Sequence, residues 1–304
     1  MTSVTRDVPG LVTVVIPAFN AATTLDETLE SARAQTYRDL EIIIVDDGSG
    51  DATPEIAARH ASADPRVRVI AQNRKGVAAA RNAGVEAARG AWIAPLDADD
   101  LWHPQKIEKQ MAATRGSDAA LALVYTWRRL IDETGQSLPD QHAPRFSGDV
   151  LRALLGGDFI GTGSSPLILR AALRAMGGYD TTLKEADGQG CEDWDLYVRL
   201  AEHYRFAVVA EPLTLYRIGR AGQSADPMRM VRLHDRVAEG FRQRFPAFHK
   251  ELGVARRNLL VWLWRRASLV GAAGSRRRAA IALLTRYPLF CLRRLFASAF
   301  KASS

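Results

Sequence analysis

Residues 40 to 61, "LEIIIVDDGSGDATPEIAARHA", decide the fold. Leu40 to Asp46 are mostly apolar and β-branched, which marks a strand buried on both faces. Gly48 to Asp51 then supply turn chemistry. Pro54 stands near the first turn of a helical stretch that runs on to Ala61. A strand covered on both sides and followed at once by a helix is half of a βαβ unit.

The same rhythm extends in both directions. "VTVVIP" (12–17) reads as a strand, and "TTLDETLESARAQ" (23–35) as a helix whose Thr24 and Glu27 are spaced for a capping box. "RVRVIA" (66–71) is a third strand. "GVAAARNAGVEAARG" (76–90) is a helix with Gly90 as its expected C-cap. "AWIAPLD" (91–97) is a fourth strand, and "PQKIEKQMAATR" (104–115) is a helix with Pro104 at its expected first position. This alternation predicts an α/β fold with a mostly parallel sheet and right-handed crossovers. In such sheets ligands sit outside the carboxyl ends of the strands. "PAFN" (17–20), "DDGSGD" (46–51) and "DADD" (97–100) all fall at those ends.

Beyond residue 119 the pattern loosens. "ALALVYTW" (120–127) and "PLILR" (166–170) read as strands, with an open loop after the first. "AALRAMGGYD" (171–180) is a short helix with a glycine stop, and "KEADGQG" (184–190) a polar loop. "CEDWDLYVRLAEHY" (191–204) is a helix with acids in its first turn, which also suits the helix dipole. "FAVVAEPLTLYRI" (206–218) is an edge-like strand interrupted by Pro212.

At 304 residues, 47% hydrophobic and 25% charged, the chain can bury a full core, which argues against a disordered protein. Residues 250–304 hold 12 Lys or Arg against the single acid Glu251; the first 249 hold 29 basic and 33 acidic side chains. The basic character therefore belongs to the C-terminal tail. Cys191 and Cys291 stand in unrelated contexts, so neither a structural disulfide nor a zinc site is expected. No signal-like or membrane-spanning apolar run is found, and a cytoplasmic location is expected.

Each candidate motif has a plain reading as well as a chemical one. Asp46 and Asp47 suit a turn, yet they could accept hydrogen bonds from a nucleobase N–H or a ribose hydroxyl. Asn73, Lys75 and Gly76 at a helix start, with Arg81 further in, could be a solvated basic helix, yet they suit a diphosphate. Asp97, Asp99 and Asp100 could cap a helix, yet they are hard-oxygen ligands fit for Mg²⁺ or Mn²⁺. The shared position at the strand ends favours the chemical reading of all three. No GxGxxG follows the first strand, which counts against a dinucleotide-dependent oxidoreductase.

"VVIPAFN", "IIIVDDGSGDAT", "KGVAAARNAGVEAARG", "IAPLDADDLWHPQKI", "GGYD" and "CEDWDLYVRL", in this order, resemble the family-2 glycosyltransferases over residues 11 to 217. The resemblance implies a GT-A, Rossmann-like sheet flanked by helices and a nucleotide-sugar donor carrying uracil, thymine or guanine (UDP-, dTDP- or GDP-sugar). It implies that Pro17, Ala18, Phe19 and Asn20 with Asp46 and Asp47 form the base pocket. It places Asn73, Lys75 and Arg81 beside base and diphosphate, and Asp97 and Asp99 in the Asp-x-Asp pair, Asp99 on the metal, with Asp100 an alternative. Asp193 corresponds to the catalytic base, with Glu192 and Trp194 as acceptor contacts. The sequence departs from the family after Tyr216-Arg217, where a His often follows; here Gly219 and Arg220 follow, and Arg217 or Arg220 is expected on the phosphate instead.

The implied catalytic domain covers 1–225, with a nucleotide-sugar half at 11–119 and an acceptor half at 120–225. A basic helical extension covers 226–304. The implied activity is metal-dependent, inverting sugar transfer to a saccharide or lipid-linked saccharide in bacterial cell-surface polysaccharide or glycolipid assembly. A nucleotide-binding scaffold without turnover is the rival. In the tail, Arg pairs punctuate apolar segments too short to span a bilayer, a pattern suited to lying on an anionic membrane at the inner face. The same helices could instead pack on the catalytic domain or form a homodimer. No nucleic-acid recognition motif accompanies the charge.

Overall fold

The computed structural model describes residues 7–116, 120–140, 142–185, 188–219 and 225–292. The chain divides into two compact units, residues 1–154 with 158–217, and residues 155–157 with 218–304.

The first unit is built on an eight-stranded sheet. β1 (Val8–Ala18), β2 (Leu40–Asp46), β3 (Val67–Ala71) and β4 (Gly90–Pro95) alternate with α1 (Leu25–Arg33), α2 (Thr53–Ala63) and α3 (Val77–Ala87). β5 (Leu101–Trp102), α4 (Lys106–Thr114), β6 (Leu121–Ile131), α5 (Leu151–Leu155), β7 (Leu167–Leu169) and α6 (Arg170–Ala175) follow. A two-residue hairpin, β8 (Lys184–Glu185) with β9 (Gly188–Gln189), leads to α7 (Glu192–Ala201) and β10 (Arg205–Arg217). The strand order is β3-β2-β1-β4-β7-β6-β10-β5. β1 to β4 pair in parallel, as do β6 and β10, while β7 and β5 run against their neighbours. β2 is buried throughout and β1 from Val12 to Ala18, and Ile16, Ile42 and Ile44 lie in a core with Leu25 and Leu29 of α1. Pro212 sits at register shifts of β10, where a missing N–H is tolerated.

Three local expectations fail, each for a physical reason. The capping box does not form: the Thr24 hydroxyl donates to Ala98 O (2.8 Å) and the Glu27 carboxylate accepts from Arg217 (2.6 Å). Gly90 is not a C-cap but opens β4. A Cβ there would lie 2.7 Å from Leu11 O and from Thr13 N, so glycine permits the close approach of β4 to β1. Pro104 stands two residues before α4, whose N-cap is Gln105. The exposed His103 accepts there, from the Gln105 N–H through Nδ1 (3.3 Å).

The second unit contains α8 (Pro227–Arg244), a 3-10 turn at Pro246–Phe248, α9 (His249–Leu269) and α10 (Ala273–Arg286). Asp226 caps α8 by accepting from Met228 N, with Pro227 at the first turn. Val231, Leu260, Leu263, Ala279 and Leu283 make its small core. Among the described residues no helix is long and apolar enough to cross a membrane.

Candidate active site

The carboxyl ends of β1 and β2 are bound to each other by their loops. The Asn20 N–H donates to Ser49 Oγ (3.0 Å), and Asn20 Oδ1 accepts from Gly50 N (2.8 Å). Asn20 adopts φ 49°, a left-handed conformation that asparagine tolerates better than most residues. Pro17 and Ala18 are buried in β1, while Phe19 is exposed with the Arg74 guanidinium 4.4 Å from its ring centroid. Asp46 accepts from Ser49 N (3.1 Å) and shapes the turn.

Asp47 holds a neighbouring loop in place. Its Oδ1 accepts from Gln72 Nε2 (2.7 Å) and Lys75 N (2.8 Å), and its Oδ2 from Gly76 N (2.8 Å). The buried carboxylate therefore fastens the 72–76 loop at the start of α3. Gly76, the N-cap of that helix, holds φ 96°, which favours glycine. Asn73 and Lys75 are exposed on this loop.

Arg81 departs from expectation more sharply. It is buried, and its two terminal nitrogens bind two carboxylates: Asp97 Oδ1 at 2.5 Å and Glu192 Oε1 at 2.7 Å. Burial works against its charge, and Asp97 and Glu192 more than offset that, so its pKa is raised. The Tyr179 ring lies 5.2 Å from the guanidinium. Asn82 fixes that tyrosine by donating to its carbonyl (2.8 Å) and accepting from its N–H (2.8 Å). Arg81 is thus a strut between acids rather than a side chain extended toward a diphosphate. Gly163 makes room for it: a Cβ there would lie 2.7 Å from an Arg81 nitrogen and 3.2 Å from Asp97 Oδ2.

The three aspartates at 97–100 are unequal. Asp100 is completely buried; its Oδ2 accepts from Ser164 Oγ (2.6 Å) and Thr162 Oγ1 (3.2 Å), and its Oδ1 from Arg217 N (2.9 Å). Burial, then the Asp99 and Asp97 charges, raise its pKa well above the carboxylate range. Asp99 keeps an exposed face, and the surrounding protein together with Asp97 pushes its pKa up to about 6. Asp97 is partly exposed, and its N–H donates to Ser164 Oγ (3.0 Å). Among the described residues no group of three or more His, Cys, Asp or Glu side chains converges as a metal site. Asp97 and Asp99 alone still fit Mg²⁺ or Mn²⁺, which take one or two protein carboxylates and complete their shells with substrate phosphate and water.

Arg217 is engaged elsewhere: its Nε donates to Asp99 O (2.8 Å), one terminal nitrogen to Glu27 (2.6 Å) and the other to the Asp132 and Glu133 carbonyls (3.3 and 3.2 Å). That occupies its side chain and corrects the expectation of a phosphate contact. Arg220 lies outside the described residues.

At the start of α7, Cys191 takes φ 64°, a rare value for a non-glycine residue, and turns the chain sharply into the helix. Glu192 is buried, and no described donor reaches its Oε2. Asp193 is half-buried; burial, the Glu192 charge and the Asp158 charge push its pKa up to about 8. Trp194 is 3% exposed and its indole N–H donates to Leu154 O (2.8 Å), so it is core and presents no face to an acceptor.

Sequence reasoning missed the 158–165 segment. Asp158 accepts from Ile160 N (3.0 Å) and Gly161 N (3.1 Å), and Thr162, Gly163 and Ser164 surround the Asp97 to Asp100 loop. The signal was "GTGSSP" (161–166), a run of small and hydroxyl residues just before a strand. His142 bridges β6 to this segment. It accepts from Arg128 N (3.3 Å) at Nδ1 and donates to Phe159 O (2.7 Å) at Nε2, with its pKa lowered to about 4 by burial and Arg128.

The chain is 34% identical over 194 residues to a chondroitin synthase of Escherichia coli, which covers 63% of this chain and 26% of that protein. It therefore spans about a quarter of that relative. Among solved structures it is similar to the mannosyltransferase PcManGT from Pyrobaculum calidifontis in complex with GDP-Man and Mn²⁺, with a TM-score of 0.61 and 21% identity over 96% of this chain and 80% of that one. It is also similar to S. aureus TarS 1-349 in complex with UDP-GlcNAc, with a TM-score of 0.58 and 17% identity over 87% of this chain and 74% of that one. These likenesses show a GT-A fold. The model of glycosyl transferase family 2 matches residues 13–177, more than half of the sequence, and the chain belongs to that family.

Proposed function

We propose that this chain transfers a sugar from a nucleotide-sugar donor to an acceptor hydroxyl, with inversion, in the assembly of a polysaccharide or glycolipid. One observation carries the reading. Through Arg81, the Asp97 carboxylate at the end of β4 and the Glu192 carboxylate at the start of α7 meet beside Asp193. The structural neighbours that hold GDP-Man with Mn²⁺ and UDP-GlcNAc support a nucleotide-sugar donor.

The roles follow from the chemistry of each group. Asp193 takes the proton of the acceptor hydroxyl as its oxygen bonds to the anomeric carbon and the bond from that carbon to the diphosphate breaks. Glu192 Oε2, buried and without a described donor, accepts from the incoming hydroxyl and orients it. The exposed Phe19, Asn20, Asn73 and Lys75 face the base and the diphosphate, the first pair on a loop tied to Ser49 and Gly50 and the second on the loop held by Asp47. A Mg²⁺ or Mn²⁺ ion on Asp99 and Asp97 would supply positive charge to the departing diphosphate.

Thermal unfolding with UDP, dTDP or GDP, each with and without Mn²⁺, tests the reading. A nucleotide at one hundred times its dissociation constant adds about 2.7 kcal/mol. One nucleotide is expected to stabilise, and to do so only with the cation. No stabilisation by any of the three, at concentrations that reveal millimolar binding, refutes it.

A further inference from the structure

We infer that the outer face of α10, with the helical turn that follows it, docks on an anionic lipid surface. The inference concerns the second unit alone and does not depend on the transferase reading.

α10 has two unlike faces. Ala279 and Leu283 point into the small core with Leu260 and Leu263 of α9. On the opposite side Ile281 and Leu284 are 51% and 55% exposed. Their spacing of three residues puts them on one stripe, and Arg277, four before Ile281, continues it. Arg276 and Arg278 flank that stripe, and all three arginines are exposed. Arg278 comes within 3.9 Å of Asp226, a loose pair between exposed side chains.

Exposed apolar side chains recur past Tyr287. Residues 288–292 are again helical; Phe290 turns inward, with the Arg257 guanidinium 4.6 Å from its ring centroid. Leu289 and Leu292 are left outside, 74% and 49% exposed. Four of the nine large exposed apolar side chains of the described chain thus fall within residues 281–292. Clustered exposure of that kind, rimmed by charge, marks an interaction surface. The charge identifies the partner. Residues 276–286 carry four arginines and no acid, a rim that complements lipid phosphates and opposes a second copy of the same face. Leucine and isoleucine supply the part that enters the acyl boundary.

Flotation of the full-length protein with vesicles tests this. Binding is expected to vesicles containing phosphatidylglycerol, with little to phosphatidylcholine alone, and is expected to weaken as salt is raised. Changing Arg276, Arg277 and Arg278 together to Gln should lower partitioning roughly a hundredfold. Leu284→Asp with Leu289→Asp should abolish it at any salt. These positions are exposed, so unchanged circular dichroism and melting temperature are expected for both variants. Equal binding to both vesicle types, or no binding by the wild type, overturns the inference. So does a lipid-free dimer, seen by sedimentation, that the leucine variants dissociate, because the face would then join two copies.

Discussion

Arg81 donates to Glu192 across 111 positions of sequence, through a buried 2.7 Å contact. The other arm of the same guanidinium holds Asp97, so one side chain sets the spacing between the acids at the end of β4 and the acids at the start of α7. Arg81→Met leaves two carboxylates without their counter-ion, at a cost of about 3–5 kcal/mol. Arg81→Lys keeps the charge but cannot span both partners. It is expected to melt closer to wild type while turnover falls roughly a hundredfold, as displacement of a reacting group by about an ångström does. Equal turnover in the lysine variant and wild type would show that the spacing does not matter.

Asp193→Asn separates base from binding site. Loss of a general base lowers turnover by about 10² to 10⁴. Calorimetric titration with the nucleotide and Mn²⁺ should give nearly the wild-type affinity, because Asp193 is expected to touch the acceptor and not the donor. Equal losses in turnover and affinity would remove Asp193 from the role of base.

The raised pKa of Asp193 gives a pH signature. Its carboxyl is pushed up to about 8 by burial, Glu192 and Asp158, and a base works only when deprotonated. kcat/KM is therefore expected to rise with pH and level off above about 8, the value for the free enzyme. Stability runs the other way. Between the ordinary carboxylate range and about 8 the folded state holds a proton that the unfolded state has lost, so this group's contribution falls as pH rises through that window. Asp158→Asn removes one of the charges responsible, and the midpoint of the kcat/KM profile should move to lower pH. An unmoved midpoint would show that another group sets the profile.

The parallel half of the sheet was legible because its signals are local: apolar β-branched runs ending in turn residues at 12–18, 40–46 and 90–95. The candidate acids were legible as types, since Asp clusters at strand ends have few structural uses. Which acid does what was not, because that depends on partners far away in sequence. Asp100 is structural only because Ser164, Thr162 and the Arg217 N–H converge on it. That the Asp47 carboxylate also fastens the 72–76 loop depends on Gln72, Lys75 and Gly76, some 25 to 29 positions away. Trp194, likewise, has its indole N–H claimed by Leu154 from 40 positions away.

The inequality of Asp99 and Asp100 yields the last prediction. Asp99 has an exposed face and no structural hydrogen bond from a side chain among the described residues, so Asp99→Asn should melt at or above the wild-type temperature without ligand. It should also lose the Mn²⁺-dependent stabilisation by nucleotide. Asp100→Ala removes the acceptor for two hydroxyls and one backbone N–H in a dry interior, and unsatisfied donors of that kind cost about 1–3 kcal/mol each. That variant should melt well below wild type, yet whatever remains folded should keep its response to Mn²⁺ and nucleotide. Differential scanning fluorimetry on the two variants, each with and without Mn²⁺ and the stabilising nucleotide, reads both effects at once. If instead Asp100→Ala loses the cation response and Asp99→Asn keeps it, the metal belongs on Asp100, and the loop must rearrange when the donor binds.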